Sequence, residues 1–239
     1  MMAILEYWPV LLKGLWITVT VSLCTIIGGA IGAVIIGGLR LSSSTAVRVA
    51  TMVFVELWRS PSALVWLFWV YYALPMVTGT RINPLTAAIL VLLLEASVYG
   101  SEVVRSGLEA VNRGQSDACY ALGLNKSQSF IKVVLPQALS QIVPGFGSMA
   151  RTMFKWTAIV SFIGVQDLLY VSQFVRAQTF ETTKVFLLLA VVYWILCLGV
   201  AFAFRALEQV LPLNRALRAA QASSSASQLG DNVSAIGAA

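Results

Sequence analysis

From Gly14 to Leu39 the sequence runs without a single charged residue. A helix needs about 20 consecutive apolar residues to cross the hydrocarbon of a bilayer, and this run exceeds that. Comparable apolar runs recur at about 60–76, 85–104, 142–165 and 185–204. Inside lipid no water satisfies backbone N–H and C=O groups, so segments of this kind cross as helices that satisfy themselves. The pattern predicts an all-α membrane protein with five transmembrane helices. Composition closes off the water-soluble alternative. Charged residues make up 11% of the chain and hydrophobic residues 59%, where a soluble domain carries roughly a quarter charged.

Orientation follows from Lys and Arg, which accumulate on the cytoplasmic side. With the N-terminus outside, the inner flanks hold Arg40, Arg48, Arg59, Arg105, Arg113, Lys126, Lys132, Arg205, Arg215 and Arg218, and the outer flanks only Lys13, Arg81, Arg176 and Lys184. The expected topology is N-terminus outside and C-terminus cytoplasmic, with residues 109–136 in the cytoplasm. The net charge of +6 is spread over the ends of apolar runs, which suits topology and not a nucleic-acid partner. The run after Lys13 is too long for a signal peptide and reads as a retained helix. Residues 1–215 read as a single transmembrane domain. Residues 216–239, Ala/Ser-rich and without apolar periodicity, read as a disordered tail.

Several chemistries are excluded. There is no His, which removes the commonest general base and metal ligand. Cys24, Cys119 and Cys197 are scattered and lack metal spacing. Asp117 and Asp167 fall outside the expected spans, so no intramembrane aspartyl pair exists. No Walker A loop occurs. The chain is expected to be no enzyme and to hold no metal or cofactor. What remains is charge inside the spans, which costs at least about 2.5–3.5 kcal/mol per residue on insertion scales. Glu95 sits mid-way along the third span. Arg151 and Lys155 lie four apart on the fourth and share a helix face. Two readings stand for Glu95: an ion pair with Arg151 or Lys155, or a carboxylate that receives the cationic group of a solute. Trp156 either packs or stacks on such a group. The candidate substrate-binding residues are Glu95, Arg151, Lys155 and Trp156. Small residues of the first span (Gly28, Gly29, Ala30, Gly32, Gly37, Gly38) allow another helix to approach closely. Glu56 and Arg59, three apart, are placed to pair, Pro61 to open the second span, and 166–183 to form a polar connector.

The interruption at 109–136 is polar where its surroundings are apolar. It predicts a short helix, capped by Ser116 or Asp117 and stopped by Gly123, then an apolar surface from Phe130, Ile131, Val133 and Val134 that ends at Leu135-Pro136. Asp117-Ala118-Cys119, three residues, Gly123, nine residues, Val133, one residue and Leu135-Pro136 resemble the EAA-type motif of permease subunits in ABC importers. Asp117, Cys119 and Val133 stand where the motif has Glu, Ala and Ile. Glu56-Leu57-Trp58-Arg59-Ser60-Pro61 and Tyr99-Gly100-Ser101-Glu102-Val103-Val104-Arg105-Ser106-Gly107 resemble segments of the polar amino acid uptake class. That resemblance, over about residues 10–215, implies a permease that pairs as a homo- or heterodimer. It further implies ABC ATPase subunits docked at Asp117, Ala118, Cys119, Ala121, Leu122 and Gly123, with ATP and Mg held by that partner. Solute would come from an extracytoplasmic solute-binding protein, and the chain would sit in the cell inner membrane. Two departures affect solute recognition: Ser148-Met149 replaces an Asn-Glu pair of that class, and Trp156 an acidic residue. Glu95 is the candidate replacement for the missing negative charge. The expected function is uptake of a polar or basic amino acid, or a derivative, by alternating access. The alternative is an autonomous secondary transporter or channel for a small zwitterionic or cationic solute.

Overall fold

The computed structural model describes residues 6–210, with backbone alone at Arg113 and Ser116; the expected tail at 216–239 lies outside the described residues. The described residues are helical and contain no strand. In order they form α1 (Trp8–Arg40), α2 (Thr45–Arg59), α3 (Ala63–Thr78), α4 (Pro84–Glu109), α5 (Arg113–Ala121), α6 (Lys126–Ile163), α7 (Leu168–Thr179) and α8 (Thr182–Val210). Helices α1, α4 and α8 are each long and apolar enough to cross a membrane. The pairs α2–α3 and α6–α7, bent by 90° and 56°, bring the candidate spans to as many as five.

The described residues divide into two compact units, 6–106 with 145–201, and 107–144 with 202–210. In the first, α1 and α4 approach through glycine. A methyl group built on Gly29 would stand 2.4 Å from the Ala96 Cβ, one on Gly28 2.6 Å from Leu93, and one on Gly100 2.6 Å from the Ala33 Cβ. The expected role of the small residues in α1 holds at Gly28, Gly29, Gly32 and Gly37, whereas Gly38 meets nothing. Arg40, at the end of α1, is almost buried and pairs with Glu102 of α4 at 2.6 Å; Glu102 also pairs with Arg105.

Prolines reshape two helices in the same way. Each π-helical turn, Trp69–Ala73 in α3 and Phe130–Val134 in α6, ends just before a Leu-Pro pair, Leu74-Pro75 and Leu135-Pro136. A proline ring clashes with the carbonyl four residues back, and a turn widened by one residue makes room for it. Leu135-Pro136 therefore lies within a helix, where the sequence predicts an end before the next one. The helix runs through it, from Lys126 to Ile163. Between α2 and α3 the chain turns at Ser60–Ser62. Trp58 stacks on Trp66 with ring centroids 4.3 Å apart, and the Trp66 indole N–H donates to the Trp58 carbonyl at 2.9 Å. Pro61 lies outside α3, whose N-cap is Ser62.

The segment 166–183 is not the polar connector expected. It contains α7, because Leu168, Val171, Ser172 and Val175 follow helical spacing and are all buried. Asp167 caps that helix, its Oδ1 accepting from the Tyr170 N–H at 3.0 Å. The Leu168 N–H donates to Thr18 Oγ1 at 3.0 Å and so ties α7 to α1.

Candidate functional site

Glu95 lies near the middle of α4 and is 1% exposed, and its Oε2 has no hydrogen-bond partner. Its immediate helix neighbours contribute to a cluster of Ala96, Met149 and Met153, against which Tyr99, Phe146 and Trp156 pack. Tyr99, one turn beyond Glu95 on α4, meets Trp156 edge-to-face with centroids 5.5 Å apart. The Arg59 guanidinium rests over the other partner in this stack, 5.0 Å from the Tyr99 ring centroid. A cation over a ring face is favoured by the ring quadrupole. This is why Arg59 does not make the expected pair with Glu56; among the described residues no ion pair joins them.

Of the four substrate-binding candidates, the structure gathers Trp156 into the aromatic cluster on the α4 side. Arg151 and Lys155 stay apart from it. Among the described residues neither forms an ion pair with Glu95. Helical phase gives the reason. Met149 and Met153 turn inward and are buried, and residues two positions further along a helix point about 200° away. Arg151 Nη2 donates instead to Ser148 Oγ at 2.9 Å. Lys155 is exposed and borders a cavity of about 510 Å³ with Tyr193, Trp194 and Cys197. Sequence reasoning placed Tyr99, Glu102 and Arg105 in one motif but missed the contacts of Tyr99 with Trp156 and Arg59 and the tie of Glu102 to both Arg40 and Arg105. The available signals were Tyr99 four residues after Glu95, and Arg105 three residues after Glu102, both same-face spacings.

In the second unit, α5 begins earlier than expected. Its cap is Asn112, whose side chain accepts from the Gly114 N–H at 2.9 Å, and not Ser116 or Asp117. Its end is a Schellman motif: Leu124 N–H donates to the Cys119 carbonyl and Gly123 N–H to the Tyr120 carbonyl, both at 3.0 Å. Gly123 sits at φ +77°, where a Cβ is disfavoured, so the stop expected at this glycine is the observed one. Asn125 and Gln128 then exchange side-chain-to-backbone bonds in a capping box that opens α6. α5 packs on the π turn and the first turn of α6. Among the docking candidates, Asp117, Ala118 and Ala121 are exposed, Leu122 is 80% exposed, and Cys119 is buried beneath them. Tyr120, half exposed, joins that surface.

Residues 26–211 match the family model described as "Binding-protein-dependent transport system inner membrane component". The chain is 32% identical over 85% of its length to a probable amino-acid ABC transporter permease protein, y4tF, of Sinorhizobium fredii, and covers 87% of it. It is 29% identical over 84% of its length to the glutamine transport system permease protein GlnP of Escherichia coli strain K12, covering 92% of that protein. A crystal structure of an amino acid ABC transporter with histidines superposes with a TM-score of 0.81 at 26% identity, over 87% of this chain and 97% of that one. An inward-facing MetNI methionine ABC transporter shares the fold, with a TM-score of 0.70 at 20% identity, over 86% of this chain and 98% of that one.

Proposed function

The chain belongs to the binding-protein-dependent transport system inner membrane components, and from that premise we propose that it is the permease subunit of an ABC importer for a polar or basic amino acid, or a derivative of one. The names of its relatives, amino-acid, glutamine and arginine permeases among them, support the substrate class. In this reading residues 1–215 act as one multi-pass domain in the inner membrane, N-terminus outside and C-terminus cytoplasmic. The chain pairs with a second permease, and an extracytoplasmic binding protein supplies the solute. Hydrolysis of ATP with Mg belongs to separate ABC ATPase subunits.

The observation that carries the reading is α5 and the way it is built. It is a short helix outside the candidate spans, closed at both ends by its own caps, that exposes Tyr120 and Leu122 beside Asp117. Exposed apolar side chains beside a charge suit a protein partner more than water or lipid. An ATPase seated there would move α5, and with it α4 and α6, which flank it in the chain. Alternating access follows if ATP and solute each favour one of two conformations. Within the body of the spans, Glu95, Trp156, Arg151 and Lys155 are the proposed solute contacts. Glu95 is the acceptor for a cationic group, since its Oε2 is buried without a partner.

The test is co-purification. A tagged chain co-expressed with the amino-acid-importer ABC ATPases of its own genome should retain one of them through a detergent column. Leu122→Asp should abolish retention while the chain still elutes as a monodisperse peak. If none of them binds the unmodified chain, the importer reading is wrong.

A further inference from the structure

The outer face of α6 is chemically unlike the exposed faces of α1 and α8. Those expose Trp16, Ile27, Ile31 and Val34, and Leu187, Ile195 and Phe202, as a lipid-facing surface requires. On α6, Ser148, Thr152 and Lys155 are exposed and Arg151 half-buried, and their spacing of three and four residues puts them in one stripe. Charged side chains in a span face a water-filled cavity or a protein interior, because lipid penalises them. The stripe is also one-signed. Among the described residues, Arg151 and Lys155 form no ion pair with any acidic side chain. Glu95 is buried on α4, Glu102 is tied to Arg40 and Arg105, Glu181 to Lys184, and Asp167 is fully buried at the cap of α7. Arg151 donates instead to the neutral Ser148 hydroxyl, which holds the guanidinium along the stripe.

Resting on the importer reading above, we propose that Ser148, Arg151, Thr152 and Lys155 line the open part of the translocation path and recognise carboxylates, so that the solute is an acidic amino acid and not a basic one. Arg151 and Lys155 stand about 6 Å apart along the helix axis. That separation lets two cations meet the two carboxylates of a short dicarboxylate, or share one. The hydroxyls of Ser148 and Thr152 supply neutral donors between them. On this face of α6 a guanidino or ammonium side chain would meet two like charges; Glu95, the acceptor proposed above, lies on α4 and is left for the α-ammonium that every amino acid carries. The substrate class expected from sequence, polar or basic, is narrowed accordingly.

The test uses the purified permease–ATPase complex in nanodiscs, without binding protein, so that solute meets the permease directly. The thermal midpoint is followed while L-glutamate, L-glutamine or L-arginine is titrated. Glutamate should reach half-saturation at the lowest concentration and arginine at the highest. Each glutamine variant would lose one charge-assisted hydrogen bond to the solute. Arg151→Gln and Lys155→Gln should therefore each raise the glutamate midpoint about tenfold or more, and Lys155→Arg should retain it. Lys155→Glu should bring arginine ahead of glutamate, a gain that misfolding cannot mimic. Arginine ahead of glutamate in the unmodified complex, the same order in every variant, or no shift with any of the three solutes overturns the proposal. An assembled complex that gives the wrong order defeats this inference alone; a complex that never assembles defeats the importer reading.

Discussion

In the unit formed by residues 6–106 and 145–201, helices meet where side chains are missing; in the unit that includes 107–144, the chain is held at its helix ends. The first set of contacts runs through Gly28, Gly29 and Gly100, each of which receives a side chain of the facing helix, Leu93, Ala96 and Ala33 respectively, in the space its own Cβ would fill. The second runs through the Asn112 cap, the Schellman turn at Gly123 and the Asn125–Gln128 box. The contrast follows from the solvent each segment suits. Between helices in lipid there is little hydrophobic driving force, so dispersion at close range does the joining. A short helix of nine residues is marginal by itself in water, so satisfied termini and the packing of one face matter more. Substitutions that tear at one kind of join should leave the other intact.

The largest effect should come from Gly29→Leu. The first side-chain atom alone would fall 2.4 Å from the Ala96 Cβ and 3.4 Å from its backbone. Ala96 has no rotamer through which to yield, so α1 and α4 would have to separate. Overpacking of this kind costs about 1–3 kcal/mol, and more where backbone must move. The expected outcome is loss of monodisperse protein on detergent gel filtration. Gly38→Leu, at a position where nothing lies within reach, should leave the elution unchanged. If both variants behave alike, the glycine contacts do not join the helices.

Next in size is Glu102→Gln. It would leave Arg40 nearly buried and without its anion, with the Arg40 Nε already lacking a partner. Removing one member of a buried ion pair costs about 3–5 kcal/mol. Glu102 is one-third exposed, so solvent screening brings the expectation to about 1–3 kcal/mol. A thermal midpoint measured in micelles should fall, and Arg40→Gln combined with Glu102→Gln should cost less than Glu102→Gln alone. Equal costs would show that Arg40 does not depend on Glu102.

The two regions also differ in how far they were legible beforehand. Around α5 the sequence carried most of the answer, because caps and stops are local: Gly123 marked the end, and the motif spacing marked the element. The error there, assigning the cap to Ser116 or Asp117 when Asn112 holds it, was one of a single turn among several competent residues. In the spans, existence was legible and phase was not. That Arg151 and Lys155 share a face follows from their spacing. Which helix that face addresses depends on how Met149 and Met153 seat against α4, and no local pattern encodes it. α7 was missed for another reason. Its buried positions are correctly spaced, but Gln166, Gln173 and Arg176 between and around them lower the average hydropathy that marked the other spans. Arg59 was misassigned because a nearby carboxylate was the obvious partner, whereas its guanidinium sits over an aromatic ring forty residues away in sequence.

The smallest of these effects should be Gly123→Val, and it isolates the second unit. At φ +77° a residue with a Cβ costs roughly 1–2 kcal/mol, more so when β-branched. The strain falls on the turn that lets Leu124 N–H and Gly123 N–H satisfy the carbonyls of Cys119 and Tyr120. No heavy atom lies within 4 Å of the position where the new Cβ would be, so no clash adds to that cost. The variant should therefore keep the thermal midpoint of the detergent-solubilised chain within a few degrees. Amide hydrogen exchange across 119–128 should accelerate by about tenfold, since 1.4 kcal/mol is a factor of ten in an opening equilibrium. Asn125→Ala, which removes the capping box at a cost of about 1 kcal/mol, should accelerate exchange over 126–129 and leave 113–121 as it was. Exchange that rises equally throughout α1 and α4 in either variant would mean that the two kinds of join are one cooperative structure, and the distinction drawn between them would fail.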